Sequence, residues 1–134
     1  MGHIGVKMDR FLPETTPYDG VPYAGCAATE VVGSDCYPAT VMWVSPSTLK
    51  VGDREVPRFV RISLDRYKVI SGHGDDGSAR YAYSRDIEDE PESGALYSYR
   101  PRLMGYVRVG IRSDSTAAQT LGLGWRRAYR DPSF

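Results

Sequence analysis

The sequence has few of the residues that build metal sites and disulfide frameworks. Its 134 residues include two Cys and two His, and no CxxC pair occurs, so a zinc site has little support. No apolar run reaches the length of about 18 residues that a transmembrane helix needs. No charged segment followed by an apolar stretch marks a secretion signal. We therefore expect a soluble, unprocessed chain with no metal and no membrane partner.

The chain also lacks net charge. Lys plus Arg equals Asp plus Glu at 17 each, so no overall field favours nucleic acid or acidic membranes. This balance hides an uneven distribution, because residues 94–134 hold seven Arg and only two acidic side chains. Arg offers planar, bidentate donors that stay charged at physiological pH, and the C-terminal third is therefore suited to hold phosphate groups.

The two cysteines, Cys26 and Cys36, lie ten residues apart across a predicted hairpin and could face each other. A reducing cytosol keeps such thiols free, so we predict that both are reduced.

Length and strand pattern predict one mainly β domain. The 134 residues suffice for a single modest core. Residues 1–24 are rich in Pro, Thr and Gly and predict an irregular lead-in, whereas residues 25–134 predict a single β-rich domain. We expect short antiparallel strands in two meander or hairpin units, with little helix beyond one turn at residues 115–119. The predicted strands are 29–32, 39–44, 48–51, 58–63, 66–70, 79–85, 96–100 and 106–112.

The predicted strand 106–112 carries an aromatic and cationic face. Alternation places Tyr106, Arg108 and Arg112 on one side and apolar residues on the other. Bases stack on rings and guanidinium planes while phosphates take the charge, so this face suits a nucleotide. A solvated Arg face of a sheet would give the same pattern. A protein interface would also give it, because interface cores favour aromatic residues and Arg.

Residues 72–77 formally match the G-x-G-x-x-G pattern of dinucleotide sites. That site needs a helix directly after the glycines, whereas residues 79–85 alternate as a strand does. We interpret this segment as a surface loop. No nucleophile-and-base constellation appears elsewhere, so we do not expect an enzyme.

Two separated motifs resemble those of a family of small phage proteins. The first is Ser34-Asp35 followed by Pro38-Ala39-Thr40-Val41, with Cys36 where the family carries Arg. The second is the C-terminal pattern made by Gly124, Arg126, Tyr129 and Asp131-Pro132-Ser133-Phe134. On these residues the chain resembles the phage anti-Thoeris sponges of the first type, which sequester cyclic ADP-ribose isomers that bacteria make as immune signals.

The resemblance implies a β-rich homo-oligomer in the cytoplasm of the infected bacterial host. It would hold a cyclic nucleotide or dinucleotide signal without turning it over and without a cofactor. Arg126 becomes the expected phosphate ligand, with its guanidinium in a site and not in the core, while Cys36 supplies no cation. The candidate ligand-binding residues are Arg126, Arg127, Tyr129, Ser34, Asp35, Arg108 and Tyr106.

Two alternatives stay open. The chain could be a structural or virion-associated phage protein that uses its aromatic and Arg face as a protein interface. Arg126 could pair with Asp131 or a chain-terminal carboxylate and merely fix the C-terminal tail.

Overall fold

The computed structural model describes residues 9–71, 80–86, 94–110 and 119–129. Within these ranges the regular structure is entirely β and the paired strands are antiparallel, so the mainly β prediction is confirmed. The strands are β1 Asp9–Leu12, β2 Ala27–Val32, β3 Asp35–Val44, β4 Thr48–Val51, β5 Arg54–Pro57, β6 Phe59–Leu64, β7 Arg66–Ser71, β8 Arg80–Asp86, β9 Ala95–Arg100, β10 Gly105–Arg108 and β11 Gln119–Leu123.

Six strands close into a barrel in the order β10-β11-β2-β3-β6-β9. β9 pairs with both β6 and β10, and the barrel therefore has no open edge. The predicted turn between β2 and β3 is present, with Gly33 at a φ of 60°. This left-handed conformation carries little cost for Gly, which explains its place at the tip of the hairpin.

The barrel interior forms the hydrophobic core. Small residues on β2 and β3 leave room for two large rings, Tyr97 and Tyr106, from the opposite wall. Strand alternation sends every second side chain inward, which is how a barrel of this size fills itself. The buried members of the core are Cys26, Ala28, Ala39, Val41, Val60, Ile62, Tyr97 and Tyr106.

The core contains polar groups that are hydrogen-bonded. The hydroxyl of Tyr97 donates to the buried carboxylate of Glu30, and the hydroxyl of Tyr106 donates to the Pro57 carbonyl at 2.7 Å. Arg108 lies 3.7 Å from Glu30 and donates to the Gln119 side chain at 2.8 Å. Burial raises the pKa of both phenols well above the usual value, so both rings remain neutral.

Two smaller sheets accompany the barrel, one of order β1-β8-β7 and one formed by β4 and β5. β1 lies inside the segment that we expected to be irregular. It forms a strand because its backbone groups find partners on β8, in a register that pairs Phe11 with Ser84. Gln119, expected at the end of a helical turn, instead begins β11. Residues 72–78, 111–118 and 130–134, which held other sequence predictions, lie outside the described ranges.

The two cysteines do not face each other. The Cys26 carbonyl accepts a hydrogen bond from the Val41 N–H, whereas Cys36 lies opposite Val31 at the other end of the hairpin. Both thiols are free, in agreement with the prediction that they are reduced.

Candidate functional site: a basic and aromatic cleft

A cleft of about 700 Å³ opens between the three-stranded sheet and the segment that follows β11. We call residues 125–129 the C-terminal segment. The cleft is lined by side chains from three parts of the chain: Glu14, Thr15, Ile70, Arg80, Tyr81, Tyr83, Trp125, Arg126, Arg127, Ala128 and Tyr129.

Backbone pairing fixes the C-terminal segment over the outer wall of the barrel. Trp125 forms a β-bridge with Thr15, and Tyr129 forms one with Cys36. Between them, the Thr29 hydroxyl donates to the Trp125 carbonyl at 2.8 Å and accepts the Arg127 N–H at 3.1 Å. The segment is therefore held extended at both ends and in the middle.

An extended chain alternates its side chains, and this alternation sorts the segment into two faces. Arg126 and Ala128 are buried, each 3% exposed. Trp125 and Arg127 are exposed and Tyr129 is half-buried, and all three line the cleft. The Arg127 guanidinium lies over the Tyr129 ring, 5.4 Å from its centroid, which holds the charge and the ring together.

Strand β8 supplies the facing wall. Tyr81 packs edge-to-face on Tyr67 at 5.5 Å between ring centroids, and the Tyr83 hydroxyl donates to the Arg126 carbonyl at 3.4 Å. Burial raises the pKa of Tyr81 and Tyr83 above the usual value, so both phenols stay neutral. Arg80 precedes them on the same strand and adds a second guanidinium to the lining.

The expectation of an accessible Arg126 guanidinium is not met: the residue borders the cleft, but its guanidinium is buried in a polar cluster outside the barrel core. Its side chain is 1% exposed, and Nε donates to Asp65 at 2.8 Å. Nη2 donates to the Thr40 hydroxyl at 2.8 Å and Nη1 to the Pro13 carbonyl at 2.6 Å. The physical reason is the alternation of the C-terminal segment, which turns position 126 toward the barrel. Arg126 therefore ties the barrel to the lead-in.

Asp65 lies at the centre of this buried cluster. Its carboxylate accepts from Arg126 and Thr40, and Arg85 on β8 lies 3.7 Å away. Burial raises the pKa of Asp65, and the hydrogen bonds from Arg126 and Thr40 oppose that shift. The cluster joins the barrel to the three-stranded sheet, which forms the opposite wall of the cleft.

The other candidates separate into two groups. Arg127 and Tyr129 line the cleft, and their role in ligand binding stays a prediction. Tyr106 and Arg108 do not line the cleft. Tyr106 is buried in the barrel core, whereas the Arg108 side chain remains 39% exposed while it contacts Glu30 and Gln119. The corresponding prediction for Tyr106 as a ligand-facing ring is wrong.

Ser34 and Asp35 lie at the β2–β3 tip and are not among the residues that line the cleft. The neighbouring Cys36 contacts the cleft indirectly, because its N–H donates to the Tyr129 carbonyl at 2.7 Å. Burial raises the pKa of the Cys36 thiol, with Arg127 opposing the shift, and the thiol is therefore neutral. It supplies no charge to a phosphate.

Sequence reasoning missed Glu14, Arg80, Tyr81 and Trp125. The alternation of residues 79–85 predicted a strand there, but no local signal indicates that this strand faces the C-terminal segment. Trp125 sits beside the Arg126 motif and was overlooked because it occupies a variable position of that motif.

Among the described residues, no group of three His, Cys, Asp or Glu could hold a metal ion, and no helix is long and apolar enough to cross a membrane. Comparisons with family models, curated proteins and solved structures find no match. The argument for function therefore depends on the chemistry of the cleft.

Proposed function

We propose that this protein is a phage anti-defence sponge, which binds a cyclic nucleotide immune signal of the cyclic ADP-ribose type in the infected bacterial cytoplasm and withholds it. The observation that carries the proposal is the cleft, where two guanidiniums lie among aromatic rings. Its volume of about 700 Å³ falls within the roughly 300–1,000 Å³ typical of small-molecule sites.

The guanidiniums account for the phosphates of such a ligand. Arg80 and Arg127 approach the cleft from opposite walls, on β8 and on the C-terminal segment. Two planar, permanently charged donors facing one space suit a pyrophosphate, which carries charge on both phosphorus centres. Arg127 takes the role that the family resemblance gave to Arg126, because the Arg126 guanidinium is already hydrogen-bonded to Asp65, Thr40 and Pro13.

The rings account for the base and for binding without chemistry. Tyr81, Trp125 and Tyr129 offer stacking surfaces that accept any base. The described lining combines guanidiniums and phenols with the carboxylate of Glu14, which is a set suited to binding and not a nucleophile beside a base. A sponge needs affinity alone, so this composition favours sequestration over turnover.

The test is uptake and release of a cyclic ADP-ribose isomer by purified protein. The ligand should leave solution and return intact after heat denaturation of the protein. Arg127→Ala should weaken binding about ten- to a hundredfold, as loss of a charge-assisted contact of roughly 1.5–3 kcal/mol predicts. The matched control is Arg100→Ala, an exposed Arg at the end of β9 that does not line the cleft. A cleaved product would indicate an enzyme instead.

A second candidate is a structural or virion-associated protein. It is favoured by large apolar side chains exposed away from the cleft, since Phe11 is 79% and Met104 81% exposed. The same surfaces suit contacts between subunits of a homo-oligomer, which we propose for the sponge. If the purified protein takes up no nucleotide but assembles with phage particles, the structural candidate replaces the sponge.

A further inference from the structure

The indole of Trp125 packs against a glycine of β11, Gly122. A Cβ atom added to Gly122 would lie 2.3 Å from Cζ2 and 2.8 Å from Cε2 of Trp125. The six-membered ring therefore packs directly against the bare backbone of β11, at a place where any larger residue would collide with it. Gly122 does not have a positive φ, so its backbone conformation does not require glycine. The close contact with the indole is what accounts for glycine at this position.

The backbone of Trp125 is fixed as firmly as its ring. Gly124, with a φ of 92°, turns the chain back over β11, and an added Cβ there would meet Tyr18 at 2.8 Å. The bridge to Thr15 and the hydrogen bond from Thr29 hold the next residue in place. The indole nevertheless stays 36% exposed and lines the cleft. A large ring that is already immobilised in the free protein and open to a cleft is a good stacking surface. Binding a ligand there loses little side-chain conformational entropy.

The cleft has two chemically different ends. At one end lies the indole of Trp125, whose backbone pairs with Thr15. At the other end, Arg127 covers Tyr129 and its charge acts on the Tyr81 hydroxyl, next to Arg80 on β8. One end therefore offers an aromatic surface, whereas the other is cationic.

From this polarity we infer the orientation of the ligand. The heteroaromatic base stacks on Trp125, and the phosphates lie between Arg80 and Arg127. This inference deepens the proposed function and rests on it. A phosphate placed against the indole would lose its charge-assisted contact with Arg127, so the opposite orientation is disfavoured.

Tryptophan fluorescence tests the inference, because the chain has two Trp residues and Trp43 lies on the barrel outside the cleft. In a Trp43→Phe protein, a cyclic ADP-ribose isomer and ADP should both change the emission of Trp125. Inorganic pyrophosphate should bind without that change. The positioning variant is Gly122→Ala in the same background, which displaces the ring without straining the backbone.

We expect Gly122→Ala to weaken binding of the two nucleotides about five- to a hundredfold and to leave pyrophosphate binding unchanged. The matched control is Gly105→Ala on β10, where the nearest atom to an added Cβ is 3.8 Å away; it should behave as the parent. Trp125→Leu provides a second variant, read by ligand uptake, and each variant is accompanied by a melting curve.

The outcomes are separable. If Gly122→Ala and Trp125→Leu bind the cyclic nucleotide as tightly as the parent, the inferred orientation is wrong but the proposed sponge function is supported. If the parent binds ADP but no cyclic nucleotide, the sponge is wrong, and the loss of ADP affinity in Gly122→Ala decides the orientation. If the parent binds no nucleotide, the proposed function and the inferred orientation are both wrong.

Discussion

Replacing Arg126 with Ala should destabilise the fold far more than it weakens any direct ligand contact. The change removes three hydrogen bonds, to Asp65, Thr40 and the Pro13 carbonyl, from a side chain that is 1% exposed. It also leaves the Asp65 carboxylate buried, with Arg85 at 3.7 Å as its remaining cation among the described residues. Breaking a buried ion pair on one side costs about 3–5 kcal/mol, because the remaining charge stays desolvated.

That cost is large against the roughly 5–15 kcal/mol that stabilises a typical domain. At about 3–5 °C per kcal/mol for a chain of this length, the melting temperature should fall by roughly 10–20 °C. Asp65→Asn should be destabilising for the same reason. Because both residues belong to one network, the double variant should cost less than the sum of the single changes.

The matched control is Arg127→Ala, one residue along the chain but on the exposed face of the C-terminal segment. It should change the melting temperature by only a few degrees, since exposed charges contribute about 0–1 kcal/mol. Melting curves and nucleotide uptake measured on both variants separate the roles. The reasoning is refuted if Arg126→Ala melts like the parent yet loses ligand, because the guanidinium would then act on the ligand and not in the buried Asp65 cluster.

Two further predictions concern the barrel. Burial raises the pKa of Tyr97 and Tyr106 in the folded state, whereas unfolded phenols ionise near pH 10. The free energy of unfolding should therefore be constant with respect to these groups below about pH 9 and fall above pH 10 by up to about 1.4 kcal/mol per pH unit for each ring. Urea titrations across this range should show the fall, and Tyr106→Phe should reduce its slope; an unchanged slope would contradict the assignment. Gly94→Ala should lower the melting temperature more than Gly25→Ala. Both glycines have positive φ, but an added Cβ at position 94 would lie 1.9 Å from the Ile62 carbonyl oxygen, whereas one at position 25 would meet no atom within 4 Å. Equal losses in melting temperature would contradict this clash.

The local sequence pattern predicted most strands but not how they pair to close the barrel. Alternation in β10 correctly placed Tyr106 and Arg108 on one face. Which face is interior depends on pairing between β9 and β6 and between β11 and β2, and such distant pairing leaves no local signal. The strand β11 was missed because Gly122 and Gly124 lower its intrinsic β preference, whereas partners on both sides override that preference in the fold.

The absence of a local signal for distant contacts also explains why the site was predicted only in part. Arg126 lies 61 residues from Asp65 in the sequence, so nothing near either residue indicates that they pair. Arg127 and Tyr129 could be predicted because the motif that contains them is continuous. The facing wall could not, since Arg80 and Tyr81 join the cleft only through the packing of a separate sheet.

The position of β11 in the barrel has a consequence for synthesis on the ribosome. β11 is the strand that pairs with both β2 and β10, and its partner β2 is made some 90 residues earlier, as the register of Thr120 with Val31 shows. Until Gln119–Leu123 leaves the exit tunnel, two strand edges stay without partners and can capture other nascent chains. Closure of the barrel thus waits for the synthesis of β11, and residues 125–129 can pack over the wall only after that closure.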